Sequence, residues 1–331
     1  MSARSVDSNV SLPTELDFTL PSSLPSARNY EIRVQPTNAQ SFTAGNTVQI
    51  DVPCGGNGRY LDTTTTYIRF RATFTHAAAD SSALIGSGMS FFNRQVVYGN
   101  NSALLENINE VGVIANTLFQ SQLNAADKVG LSAALGFVDD ITLAKATFGH
   151  AIQTVAPAQL VFDYCVPIIG ILGCLTTKMI PLSKVAGIRY ELTMDSFANF
   201  TAPKAAAIVN TVTGCVITDF EFVGNVVELS PSSQAIVDSL NPEKIFIRSQ
   251  SYIQTSSSLP AGTGAGANDI LVGIKVSSLK ALWMVCSPSN ANERKFAGVN
   301  PNLVQGTCYV INSQNYPQRT IDPSNKPADA F

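Results

Sequence analysis

Charge is scarce in this sequence. Charged residues make up 14% of the 331-residue chain, against about 25% in an ordinary soluble domain, while 45% of its residues are hydrophobic. A surface of this composition must be uncharged over wide areas or covered by other subunits. The apolar content also excludes disorder over most of the chain, which needs low hydrophobicity and high charge. Basic clusters are lacking as well. The 21 Lys and Arg residues are scattered one or two at a time, the net charge is −3, and the first fifty residues set Arg4, Arg28 and Arg33 against Asp7, Glu15, Asp17 and Glu31. Gripping nucleic acid by its phosphates takes clustered cations, so direct, specific binding to nucleic acid is not expected.

Histidine is nearly absent. With only His76 and His150, one chain cannot assemble the three-histidine metal site common in small β-barrel enzymes. No long apolar run occurs: the stretch Tyr164 to Leu175 is broken by Pro167, Gly170 and Gly173, whereas a spanning helix needs about 20 apolar residues. A membrane-spanning protein is therefore not expected. Met1 to Ser11 has no apolar core of a secretion signal. The cysteines Cys54, Cys165, Cys174, Cys215, Cys286 and Cys308 include no CxxC pair. They read as reduced, mostly buried small apolar residues, the other reading being a disulfide formed after release from a reducing compartment.

What is present is alternation. Residues 1–28 are rich in Ser, Pro and Leu and end in Leu20-Pro21-Ser22-Ser23-Leu24-Pro25-Ser26, an extended arm because proline spacing keeps the chain out of helix. Then Tyr30, Ile32 and Val34 alternate with polar neighbours, as do Val48, Ile50 and Val52, and Ile68, Phe70, Ala72 and Phe74. This period of two marks antiparallel strands with one face on a core. Phe91 to Tyr98 reads as a strand closed by Gly99-Asn100-Asn101. Leu104, Leu105, Ile108, Val111, Ile114 and Leu118 recur at helical spacing and predict a helix over 102–121, with a second over 124–134. Strands are expected again over 150–165, in Ile188 to Met194, around Phe220 and Phe222, around Ile245 and Ile247, and over 269–276, 279–286 and 306–312. Ser256 to Asn268 reads as a Gly, Ser and Ala loop. Short strands, few helices and long loops over this length predict an all-β chain of two sandwiches, and jelly rolls fit.

Sites of chemistry are not evident. Gly262, Gly264 and Gly266 lack the Gly-x-Gly-x-x-Gly spacing and any Gly-Lys-Ser/Thr, so a surface loop is expected rather than a phosphate cradle. Asp139-Asp140 has no Asp-rich calcium loop around it and reads as a solvated turn. His150 has no Gly-x-Ser-x-Gly elbow to serve and reads as an ordinary histidine. Trp283 lies in an apolar strand pattern, where core or interface packing is expected over ligand stacking. The patterns at Asn9, Asn100 and Asn199 match glycosylation acceptors by chance on this reading. No catalytic, cofactor or metal-binding residue is assigned, and the chain is not expected to be an enzyme.

Four segments together resemble one family, the double jelly-roll major capsid proteins of tailless icosahedral DNA viruses. Arg94-Gln95-Val96-Val97-Tyr98-Gly99 with Leu105-Glu106-Asn107-Ile108 is similar to the strand, glycine turn and helix inserted in the family's first barrel. Cys165-Val166-Pro167, Ile180-Pro181-Leu182 and Gly187 to Leu192 resemble its proline-containing strand starts near the end of that barrel. Ile217 to Leu229 with Ser230 to Val237 is similar to the connecting strand and short helix between barrels. Ser278 to Val285, containing Trp283, looks like an early strand of the second barrel. Their order along the chain carries the resemblance.

The resemblance implies two jelly-roll β-barrels in tandem with short helical insertions: an N-terminal arm at 1–28, a first jelly roll at 29–212 and a second at 213–331. It implies a structural protein of the virion, made inside the host cell, that forms homotrimers of pseudo-hexagonal outline tiling an icosahedral shell. The implied partners are itself, neighbouring capsomers, and minor capsid, penton or cement proteins, with no cofactor. Eight strands of about 5–6 residues with turns of similar length fill 213–331 only if nearly every loop is minimal. The second barrel is therefore expected to be incomplete, in a fragment or in a chain whose missing strands come from a cleaved segment or a neighbouring subunit. The competing reading is a cellular β-sandwich binding module of the carbohydrate-binding type, which would usually display exposed aromatics or acidic calcium loops.

Overall fold

The computed structural model describes residues 27–76, 82–84, 86–99, 102–136, 151–152, 158–173, 178–203, 212–240, 249–257, 270–274, 278–283, 307–311 and 314–321, with Ile245, Ile247 and Val276. The alternating segments are strands: β1 (Ala27–Val34), β3 (Thr47–Val52) and β4 (Arg59–His76), with the two-residue β2 (Ser41–Phe42) between the first two. After β5 (Ser82–Leu84) and a 3-10 turn at Gly88–Phe91 come β6 (Phe92–Gly99), β7 (Leu104–Asn109) and the helices α1 (Val111–Gln122) and α2 (Ala125–Leu135). Then follow β8 (Ala151–Ile152), β9 (Ala158–Pro167), β10 (Ile180–Pro181), β11 (Ile188–Met194), the short helix α3 (Phe197–Phe200), β12 (Thr201–Pro203), β13 (Val212–Leu229) and α4 (Pro231–Leu240). The hairpin of β14 (Thr307–Ile311) and β15 (Gln314–Ile321) stands as its own two-stranded sheet.

The eight principal strands, in chain order β1, β3, β4, β6, β7, β9, β11 and β13, pair first with eighth, second with seventh, third with sixth and fourth with fifth. One sheet runs β1-β13-β4-β9 and the other β3-β11-β6-β7, all antiparallel. A long hairpin wound around a barrel gives this pairing, and it is the jelly roll. Its filling follows from the alternation. Val48, Ile50 and Val52 on β3, Ile68, Phe70, Ala72 and Phe74 on β4, and Ile188, Tyr190, Leu192 and Met194 on β11 all point inward and are buried. Phe70 sits at the centre, with ring centroids 5.3 Å from Phe91, 5.6 Å from Phe92, 5.3 Å from Tyr164 and 5.7 Å from Phe220.

Three expectations need correction. The helix expected over 102–121 is a strand up to Asn109, and helix begins only at Val111. On β7 the inward residues are Glu106 and Ile108, so a buried carboxylate occupies the place where an apolar residue would have shown the period of two. Glu110, at φ 51°, turns the chain from strand to helix. Second, Ile217–Leu229 is not a connector: it belongs to β13, which pairs with β1 and β4, so the barrel's last strand lies beyond 212. Third, none of the described residues among Ile245, Ile247, 270–276 and 278–283 is in a strand, although the helix after Ser230 and the strand near 306–312 are present as α4 and β14. Of the arm expected at 1–28, residues 1–26 lie outside the described residues, while Ala27 and Arg28 already belong to β1.

Candidate interaction surface

The outer faces of the barrel neutralise their own charge. Arg71 on β4 meets Asp163 on β9 at 3.0 Å and Asp219 on β13 at 3.2 Å, and Arg189 on β11 meets Asp51 on β3 at 2.9 Å. Arg71 and Asp163, like Arg189 and Asp51, are register partners, the directly opposed placement that favours unlike charges. Hydrogen bonds to these carboxylates hold both guanidinium groups above their ordinary pKa. Exposed pairs of this kind add little to stability. They leave these cations committed to a neighbour rather than offered to a phosphate.

The edges and the insertion are held by polar contacts. At the free edge of β3, Asn38 donates to the Thr47 carbonyl at 2.6 Å and accepts from the Gln49 amide at 3.1 Å, while the Thr37 amide donates to the Gln49 carbonyl at 2.8 Å. The loop after β1 thus supplies bonds that another strand would otherwise seek. The insertion is locked through Asn116 of α1, whose carbonyl accepts from the Ser87 amide and hydroxyl, each at 2.8 Å, and whose amide donates to Ser90 at 2.8 Å. Gly112 allows this approach, since a Cβ there would lie 2.9 Å from the Met89 carbonyl.

Beyond the barrel the surface changes character. Most of the exposed large apolar side chains among the described residues follow β13: Ile236 and Leu240 on α4, Leu271 and its neighbours, Leu279, and Val310 and Ile311 on the hairpin. Leu271 is 95% exposed, Leu240 74% and Trp283 47%. Exposed apolar residues scattered singly are ordinary, whereas a contiguous apolar patch is the usual mark of a contact surface. Trp283 is half exposed in this chain rather than packed in its core.

Other residues singled out in the sequence fall variously. Gly262, Gly264, Gly266, Asp139, Asp140, His150, Cys174 and Cys286 lie outside the described residues. His76 ends β4 opposite Val212 and Ala158. Cys54, Cys165 and Cys215 are free thiols, and burial pushes Cys215 up to about 12. Asn199 donates to Asp195 at 2.8 Å. Among the described residues no three His, Cys, Asp or Glu side chains converge as metal ligands, and no helix is long and apolar enough to cross a membrane. Exposed Ile236, Leu240 and Leu271 were missed by sequence reasoning, because an apolar side chain looks the same in sequence whether covered or bare.

No protein-family model and no curated protein matches the sequence. Solved structures do. Its likeness is to viral major capsid proteins. The PBCV-1 protein VP54, fitted into a reconstruction of the virophage Sputnik, is 10% identical, with 66% of this chain and 46% of that one covered and a TM-score of 0.41. The Faustovirus major capsid protein is 9% identical over 68% of this chain and 58% of its own, at 0.42. The mavirus major capsid protein is 11% identical over 70% and 53%, at 0.31. The chain spans about half the length of these structures. Each likeness is partial, and the jelly-roll assignment rests on the strand pairing of this chain.

Proposed function

We propose that this chain is a structural subunit of an icosahedral virus shell, built for contact with copies of itself and not for catalysis. The observation that carries the reading is the contrast between a barrel closed on its own core and a following region whose large apolar side chains stay exposed. Such surface is buried when subunits meet. The scarcity of charge supports the same reading. In this proposal the segment 1–26 is an arm reaching under neighbours, the jelly roll through β13 forms the first wall, and the region after Leu229 contributes a second barrel completed by strands from elsewhere. Three copies form a pseudo-hexagonal capsomer that meets other capsomers and minor capsid, penton or cement proteins in the virion, after synthesis in the host cell. Electron micrographs of the purified protein test this: hexagonal particles or shells are expected, and isolated monomers at high concentration would contradict it.

Nucleic acid is not a direct partner on this proposal. The chain carries 21 Lys and Arg against 24 Asp and Glu, and counterion release, the source of tight phosphate binding, needs many cations in one place. Filter binding at low salt should retain little DNA, with no steep salt dependence. A tight complex that weakens sharply with salt would overturn this part of the proposal.

A further inference from the structure

Glu106 is 4% exposed and points from β7 toward the 3-10 turn Gly170–Leu172. One oxygen, Oε2, accepts from the Ile171 amide at 3.0 Å and lies 3.5 Å from the Gln95 amide nitrogen. Gln95 is committed elsewhere: it donates to the Ile169 carbonyl at 2.7 Å and accepts from the Tyr190 hydroxyl at 3.0 Å. The second oxygen, Oε1, is buried without a hydrogen bond of normal geometry. Ser251, on the segment 249–257, also faces the carboxyl, while Tyr252 beside it packs on the barrel core.

Among the described residues, those acting on this carboxyl are uncharged: Gln95 on β6, Tyr190 on β11, the Ile171 amide in the turn and Ser251 on the segment 249–257. Tyr190 is the titratable one among them, and burial, helped by Glu106 itself, pushes its phenol well above the usual range, so it stays neutral. No cation of the described residues compensates an ionised Glu106. A buried charge with half its oxygens unsatisfied is costly, and either a proton or water must relieve it.

We infer that Glu106 is a proton-operated latch on the seam between the first barrel and the segment 249–257, closed when the carboxyl holds a proton and opened to water when it gives that proton to solvent. The inference does not rest on the capsid reading. Its sign follows from the burial. Desolvation raises the carboxyl above its ordinary 4.5, against weaker opposing hydrogen bonds from Ile171, Ser251 and Gln95. The folded state therefore holds the proton more tightly than the unfolded chain does. The stabilisation is complete below the ordinary carboxyl range and is lost as pH rises through the folded midpoint.

Hydrogen exchange of the full chain across the range from mildly acid to mildly alkaline pH tests this, with β4 peptides as the internal reference for base catalysis. Peptides covering 168–173 and 249–255 should gain exchange relative to β4 as pH rises. The gain should total about tenfold for each pH unit separating the folded midpoint of Glu106 from that of an exposed glutamate. In Glu106→Gln the relative exchange should be flat with pH. A purely structural carboxyl would instead shift exchange equally at every pH when replaced. Carboxyl carbon NMR of the unmodified protein gives the second reading, independent of how well the variant folds: a midpoint above the exposed glutamates is expected. A midpoint at or below them, or the same pH-dependent gain in the variant, would overturn the latch.

Discussion

Phe70→Ala should cost about 3–5 kcal/mol of folding free energy, a large share of the roughly 5–15 kcal/mol that holds a domain together. Phe70 is buried on the inner face of β4, and its ring is the one that Phe91, Phe92, Tyr164 and Phe220 all meet. Those partners come from both sheets and from the turn between them, so truncation removes transfer energy and opens a cavity that no single element can fill by moving. Stacking and edge contacts of aromatic pairs add about 0.5–1.5 kcal/mol each beyond burial. Urea denaturation followed by circular dichroism measures the loss. A midpoint shift equivalent to less than about 1 kcal/mol would mean that the two sheets do not share this core.

Gly170→Ala should destabilise by about 2–4 kcal/mol, combining a left-handed backbone cost with a lost hydrogen bond to a buried carboxylate. Gly170 has φ 84°, and a Cβ added there would collide with Oε2 of Glu106. The carboxylate cannot retreat without giving up the Ile171 amide, which is the one close bond it has. Truncating Glu106 to alanine relieves the collision, so a double-mutant cycle should show the two substitutions to be strongly non-additive. Additive losses would place Gly170 and Glu106 apart, contrary to the geometry described.

Much of the barrel is legible in the sequence, and its gaps have physical causes. On β1, β3, β11 and the 68–74 stretch of β4 apolar residues alternate, because each turns one face to the core and the other outward. On β7 the buried Glu106 breaks that pattern, and the apolar spacing that is left fits a helix. On β13 three register shifts, at Val212/Gly214, Thr218/Glu221 and Val223/Asn225, interrupt the alternation within one 18-residue strand. Asp219, at φ 50°, sits in the middle one. A bulge moves every later side chain to the opposite face, so β13 reads as two short pieces and its barrel role disappears. The candidate surface was the least legible part. The runs at 269–276 and 279–286 carry the apolar residues of buried strands, yet Leu271 and Trp283 are exposed in this chain. Residue type reports that such a side chain will be covered, not which molecule covers it.

The capsid reading stands or falls on self-association. Light scattering coupled to size exclusion, on the purified chain over a wide concentration range, measures it directly. A species of three times 35.2 kDa that persists on dilution is expected, as a large apolar interface requires. A monodisperse species of 35.2 kDa at the highest concentration and low salt would contradict it.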